Sequence, residues 1–246
     1  MTGVVAVFVL ASVAALATPA GAQIRIEDLL KGAPQQRPGT GGIGDVRIGE
    51  GLKEALRIGT QNAVAVTGRL DGYFANQAIK ILMPERLKNL EVGLRSIGFG
   101  AQVDELVLGM NRAAERAAPF ARDIFVDAVG RMTIDDARRI LGGPETAATD
   151  YFRNKTTAKL TTAFAPVVDR AMNEVGVSRQ YNQLLDQARA IPFFRAEEYD
   201  LDRYVVGKSL DGLFRVVGEE ERKIRRDPAA RVTDVLRDVF GQRRQR

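Results

Sequence analysis

The stretch DIFVDAVGRMTIDD, residues 123–136, places four carboxylates in fourteen positions: Asp123, Asp127, Asp135 and Asp136. Acids one helical turn apart, as Asp123 and Asp127 are, present oxygens to the same side of a helix, which is what a hard cation or an acid/base pair requires. A calcium loop does not fit. Such loops take ligands at alternate positions around a glycine, whereas these acids stand four and eight apart inside a helical pattern. At 100° per residue Arg112, Arg116, Asp123, Asp127 and Arg131 fall along one flank of an amphipathic stripe, so arginines balance the acids without a metal. Asp127 stands four residues before Arg131, the favourable orientation for an ion pair. Asp135 and Asp136 follow Thr133, where carboxylates stabilise the positive end of a helix. A solvated helix flank is therefore preferred to the alternative, a buried polar cluster or carboxylate site in which Asp123 and Asp127 face another helix.

Two other stretches carry charge in a usable arrangement. In DYFRNKTTAKL, residues 150–160, Arg153 and Lys155 stand among aromatics and hydroxyls, a combination able to receive an anionic headgroup. The plainer account turns Tyr151 and Phe152 inward and leaves both cations in water. In GEEERKIRRDPAAR, Glu219 with Lys223 and Glu221 with Arg225 are spaced as ion pairs of an exposed helix end. The candidate ligand-binding residues are thus Asp123, Asp127, Arg116, Arg131, Arg153 and Lys155. No catalytic residue, metal ligand or cofactor is assigned. The glycines at 39–44 do not lie between a strand and a helix, as a nucleotide-binding loop requires.

Composition narrows the chemistry further. The chain has 246 residues with no His and no Cys, which removes Ser-His-Asp triads, thiol nucleophiles, Cys/His zinc sites and disulfides. An active site would have to use carboxylates, Lys, Arg, Tyr, Ser or Thr. Net charge is +5, yet the 36 basic residues, 28 of them Arg, are interleaved with 31 acids, and this dispersion argues against a nucleic-acid partner. The tail GQRRQR, with Arg243, Arg244 and Arg246, is able to touch anionic lipid or polysaccharide, but a frayed solvated terminus is the simpler reading.

The elements that must position these groups begin after an N-terminal address. VVAVFVLASVAAL, residues 4–16, is apolar, short for a bilayer, and followed by small residues at Ala20 and Ala22. It predicts a signal peptide over 1–22, a mature chain from Gln23 and a periplasmic location, although the leader lacks the usual Lys or Arg. An uncleaved anchor is the alternative. The absence of Cys after the apolar run excludes a lipid-anchored lipoprotein. Residues 23–44 hold a short amphipathic piece, IRIEDLLKG, and a Pro/Gly-rich linker.

Residues 45–246 show helical periodicity throughout and predict one all-α domain of about seven to nine helices, ending in the short basic tail. The first helix is expected over 45–66, with Asp45 as N-cap, Ile48, Leu52, Ala55, Leu56 and Ala63 on one face, and Gly68 as stop. Ile79 and Ile81 alternate within residues 78–82, the only strand-like place. Pro84 opens a helix with Leu87, Leu90, Leu94 and Ile97 inward, ended by Gly98. A long helix over 101–131 carries Val103, Leu106, Met110, Ala113, Ala117, Phe120, Ile124 and Ala128 on one stripe and is kinked at Pro119. Thr133 caps a helix to Gly142, and Pro144 opens one with Phe152, Leu160 and Phe164 inward. Helices over 178–190 and 200–226 follow, then a last one capped by Asp227 and stopped by Gly241.

The segments GLKEALRIGTQNAV, MNRAAERAAPFARDIFVDAV, MTIDDARRIL, YFRNKTTAKL, LDGLF and EEERKIRRDPAARVTDVLRDVFG, in this order, resemble the exported bacterial proteins of the domain of unknown function 4197 family. The resemblance implies a periplasmic or envelope-associated all-α protein with no assigned activity, and it supplies no catalytic residues. The function expected from the residues is a non-enzymatic helical envelope protein that binds a protein partner or an apolar, including lipidic, ligand. The competing expectation is a carboxylate-dependent hydrolase of an envelope polymer, which needs only two acids. None of the 14 Glu precedes a Ser, so the Glu-Ser signature of many lytic transglycosylases is missing.

Overall fold

Apolar residues at three- and four-residue spacing build the α-helices of the described residues, and burial follows their stripes. The computed structural model describes residues 43–174, 176–189 and 199–226. The leader, the amphipathic piece, the last expected helix and the basic tail lie outside these residues. Helix α1 (Ile43–Gly68) buries Leu52, Ala55, Leu56 and Ala63 as expected. It starts before Asp45, which lies in its first turn instead of capping it. Two buried threonines on this helix, Thr60 and Thr67, turn their hydroxyls back to the carbonyls of Leu56 and Ala63, each at 2.7 Å.

A short 3-10 turn (Glu85–Leu87) buries Leu87 and leads into α2 (Lys88–Ser96), which buries Leu90 and Leu94. Pro84 precedes this turn as its N-cap. Ile97 was expected inward and is instead 51% exposed, because the helix ends before it and Gly98 takes φ +95°. Helices α3 (Gly100–Ala117) and α4 (Ala121–Gly130) replace the single long helix, with Pro119 in a 3-10 turn (Ala118–Phe120) between them. The expected kink is a break in register. Phe120 is 54% exposed, Ile124 is half-buried, and Phe125 takes the inward place.

Helix α5 (Ile134–Gly142) starts at Thr133 with a capping box: the Thr133 hydroxyl accepts from the Asp136 N–H, and the Asp136 carboxylate accepts from the Thr133 N–H. Helices α6 (Ala147–Glu174), α7 (Val177–Arg189) and α8 (Leu201–Arg226) complete the described set. Helices α1, α3, α6 and α8 make the principal packing contacts. Phe125, Phe152 and Phe214 meet edge to face in the core, with centroids 5.3 and 6.2 Å apart. Among the described residues no helix is long and apolar enough to cross a membrane.

Residues 69–84 cross the core without regular structure and form no strand. The alternation at 78–82 is real: Ile79, Ile81 and Met83 are buried while Leu82 is 59% exposed. Its hydrogen-bonding partner, however, is a side chain. The Asn111 amide accepts from the Ile81 N–H at 2.9 Å and donates to the Ile81 carbonyl at 2.8 Å, as a neighbouring strand would. Earlier in the segment Glu115 accepts from the N–H groups of Tyr73 and Phe74, both at 3.1 Å, and the Tyr73 hydroxyl donates to the Ser209 carbonyl at 2.6 Å. Gly72 is required there, since a Cβ would collide with the Val66 carbonyl. Gly212 is required on α8, where a Cβ would stand 2.5 Å from the buried Tyr73 ring.

The charged end of α8 is not exposed as a whole. Glu220 and Glu221 are 8% and 6% exposed. Of the two expected pairs, Glu221–Arg225 forms at 2.8 Å, whereas Glu219 pairs with Arg215 and Lys223 with Glu220. The structure corrects the sequence expectation because Glu220 and Glu221 turn toward α1 and α6, where Asn62, Ala148 and Thr149 supply donors.

Candidate functional site

Helix α8 carries two stripes. Leu201, Val205, Val206, Leu210, Leu213 and Phe214 pack inward, while Arg203, Tyr204, Gly207, Lys208, Asp211 and Arg215 recur on the outer side. Asp200 caps the helix, accepting from the Arg203 N–H at 2.9 Å. Opposite the outer stripe runs the segment 78–86, pinned from behind by Asn111 and from the front by Tyr204, whose hydroxyl donates to the Leu82 carbonyl at 3.0 Å. Burial pushes the Tyr204 hydroxyl above the ordinary tyrosine range.

Between these two walls lies a cleft of about 710 Å³, open to solvent. A second chamber of about 500 Å³ adjoins it and shares Arg86, Tyr199, Tyr204, Lys208 and Asp211. Ile79, Ile81, Leu82, Met83 and Pro84 supply an apolar side, and Lys80, Arg86, Arg153, Lys208 and Arg215 the charge. Tyr199 and Tyr204 meet edge to face with centroids 5.9 Å apart. The Arg153 guanidinium lies 4.7 Å from the Phe214 ring and 3.6 Å from Asp211. Glu85, the other acid of the wider chamber, stands 3.6 Å from Lys88. This arrangement can hold an anion beside an apolar surface.

Of the six residues proposed from sequence, the structure brings Arg153 alone to this cleft. Asp127 sits on α4 between Lys159 at 2.8 Å and Arg131 at 2.7 Å, and these two cations hold its carboxyl below the usual carboxylate range. Asp123 is exposed one turn earlier. Arg116 pairs with Glu174 at 2.7 Å, and Lys155 is exposed on α6. Among the described residues no group of three acids is placed to hold a metal ion.

The family model described as "Protein of unknown function (DUF4197)" matches residues 42–241. The chain belongs to the DUF4197 family. No curated protein and no solved structure matches it. The DUF4197 segment contains every residue that lines the cleft. Sequence reasoning missed Lys80, Arg86, Arg203, Lys208, Arg215 and the tyrosine pair. The available signal was the second periodicity of α8, in which 204, 208, 211 and 215 recur at helical spacing around Gly207 and Gly212.

A further hollow of about 290 Å³, with Tyr181 and Asp202 in its lining, shares Tyr199 and Asp200 with the second chamber. Burial, with Asp169 and Asp200 adding repulsion, pushes the Asp202 carboxyl up. The apolar hollow beside Leu52, Leu56 and Ile224 measures about 10 Å³ and admits at most a single water.

Proposed function

We propose that this protein is a non-enzymatic binding protein of the cell envelope, and that its cleft takes an anionic amphiphile. The observation that carries this reading is the open cleft itself, where the described residues set five cations against two acids beside an apolar strip at Leu82, Met83 and Pro84. Exposed cations attract anions over distances near the Debye length, and an apolar strip adds burial once the ligand docks. The envelope location rests on the leader-like N-terminus, with its 13-residue apolar run ahead of Ala20 and Ala22. A protein partner at the same face is the variant of this reading that the charge also suits, and the basic tail would add to either.

Native mass spectrometry of protein purified from the periplasm, with lipid extraction of the same sample, tests the proposal. The expected result is a co-purifying anionic amphiphile that high salt weakens. A bare chain that also ignores added anionic amphiphiles would overturn it.

The hydrolase reading is weaker. Glycoside cleavage requires a protonated carboxyl aimed into the cleft and a second acid across from it. Asp211 is engaged by Arg153 and Glu85 by Lys88, while the carboxyl that burial raises, Asp202, lies outside the cleft.

A further inference from the structure

The cations of the cleft fall into two sets. In the wider chamber Arg153 is balanced by Asp211 at 3.6 Å, Arg215 by Glu219 at 3.5 Å, and the Lys80 ammonium rests 4.0 Å from the Phe74 ring centroid. In the adjoining chamber Arg86, Arg203 and Lys208 line one space of about 500 Å³ and pair with no carboxylate of the described residues. Among the described residues two acids stand there, and both are engaged: Asp200 as the cap of α8 and Asp211 with Arg153. Among the described residues the Lys208 ammonium has only the Tyr204 ring beside it, 5.8 Å away.

Gly207 lines the same chamber, in the second turn of α8. Glycine weakens a helix interior and usually has a reason to be there. Neither packing nor backbone supplies one here, since a Cβ at this position would meet nothing within 4 Å and its φ is not in the left-handed region. What its missing side chain does is leave the chamber clear.

We infer that this chamber seats a phosphate group, with Arg86, Arg203 and Lys208 as its ligands and Gly207 as the position that admits it. Arg86 approaches from the segment before α2, whereas Arg203 and Lys208 come from α8. A tetrahedral phosphate offers oxygens to several directions at once, a planar carboxylate offers two in one plane, and guanidinium groups match phosphate oxygens in pairs. The remainder of the ligand then lies along the wider chamber beside Leu82 and Met83. This inference rests on the cleft being a ligand site at all. Its shared chemistry, a phosphate ester, comes either from a lipid headgroup or from a soluble compound.

The test measures binding of the full exported chain to phosphatidylcholine vesicles with and without phosphatidic acid, to glycerophosphate and to oleate. Gly207→Phe fills the chamber, the double variant R86Q/R203Q removes two of its charges, and Arg57→Gln, on an exposed arginine of α1 paired with Glu54, serves as the control. Phosphatidic acid is expected to bind the parent protein and Arg57→Gln alike. In both chamber variants the Kd should rise about tenfold or more, with circular dichroism unchanged. Binding of vesicles without glycerophosphate binding assigns the lipid source, and equal binding of both assigns the soluble one. Chamber variants that bind phosphatidic acid as well as the parent, or oleate binding as tight as that of phosphatidic acid, would overturn the phosphate seat while leaving the cleft reading intact. A parent protein that binds none of the probes would overturn both.

Discussion

Glu221 is charged and 6% exposed, and it is tolerated because its oxygens are used. They accept from the N–H groups of Ala148 and Thr149 at 3.0 and 2.9 Å and from the Thr149 hydroxyl at 2.8 Å, so a residue of α8 closes the open N-terminus of α6. Its partner Arg225 reaches the Ile140 carbonyl near the end of α5 at 2.9 Å. One ion pair thus serves two helix ends. Glu221→Ala is expected to cost about 3 to 5 kcal/mol in urea unfolding, because it strands two buried amides and takes the carboxylate from Arg225, whereas Glu219→Ala should stay within about 0.5 kcal/mol. In the sequence Glu219, Glu220 and Glu221 are three equal neighbours, and four-residue spacing identifies possible partners without saying which carboxylate faces α6. The tyrosines carry a pH dependence. Burial raises the hydroxyls of Tyr73 and Tyr204 above the unfolded value, so the stability they contribute is complete below about pH 10 and falls as pH rises beyond it. Urea midpoints should therefore decline on the alkaline side of about pH 10, and Tyr204→Phe, which has no proton to lose, should remove part of that decline.

At the scale of elements, the lesson lies at Pro119. The sequence marks the break, but a straight helical wheel carried through it places Phe120 and Ile124 on the core stripe. The 3-10 turn interrupts the α-helical winding, so the wheel of α3 does not carry over unchanged into α4, where Ala121, Phe125, Ala128 and Val129 face the core. Phe125→Ala should therefore cost about 3 to 5 kcal/mol, while Phe120→Ala should cost less than about 1 kcal/mol in the same unfolding assay. Where no such turn intervenes, periodicity is reliable: Leu87, Leu90 and Leu94, or Phe152, Leu160 and Phe164, are buried as their spacing predicts. The Thr133 cap is legible for the same reason, since its capping box is local.

Across the whole molecule, locality fails, and so does the reading of the site. The cleft exists because residues 69–84 fold back between α3 and α8, through contacts such as Tyr73 to Ser209 and Tyr204 to Leu82 that join residues more than a hundred positions apart. No spacing rule connects Arg86 to Arg203. The N-terminus belongs to this scale too: intact-mass measurement of the periplasmic fraction is expected to show a chain beginning at Gln23, and a species retaining Met1 in the membrane pellet would contradict the leader. The Asn111 clasp on Ile81 has a consequence in time as well as in space. An amide outside any helix ordinarily exchanges with deuterium as fast as a loop fluctuates, but the Ile81 N–H is held by a fully buried side chain of α3 and can open only when that helix does. Native-state exchange at Ile81, Tyr73 and Phe74 should accordingly be as slow as in the α3 core. In Asn111→Ala exchange at Ile81 should become fast while α6 stays protected, and any ligand of that variant would have to order the cleft wall that the parent protein presents already rigid.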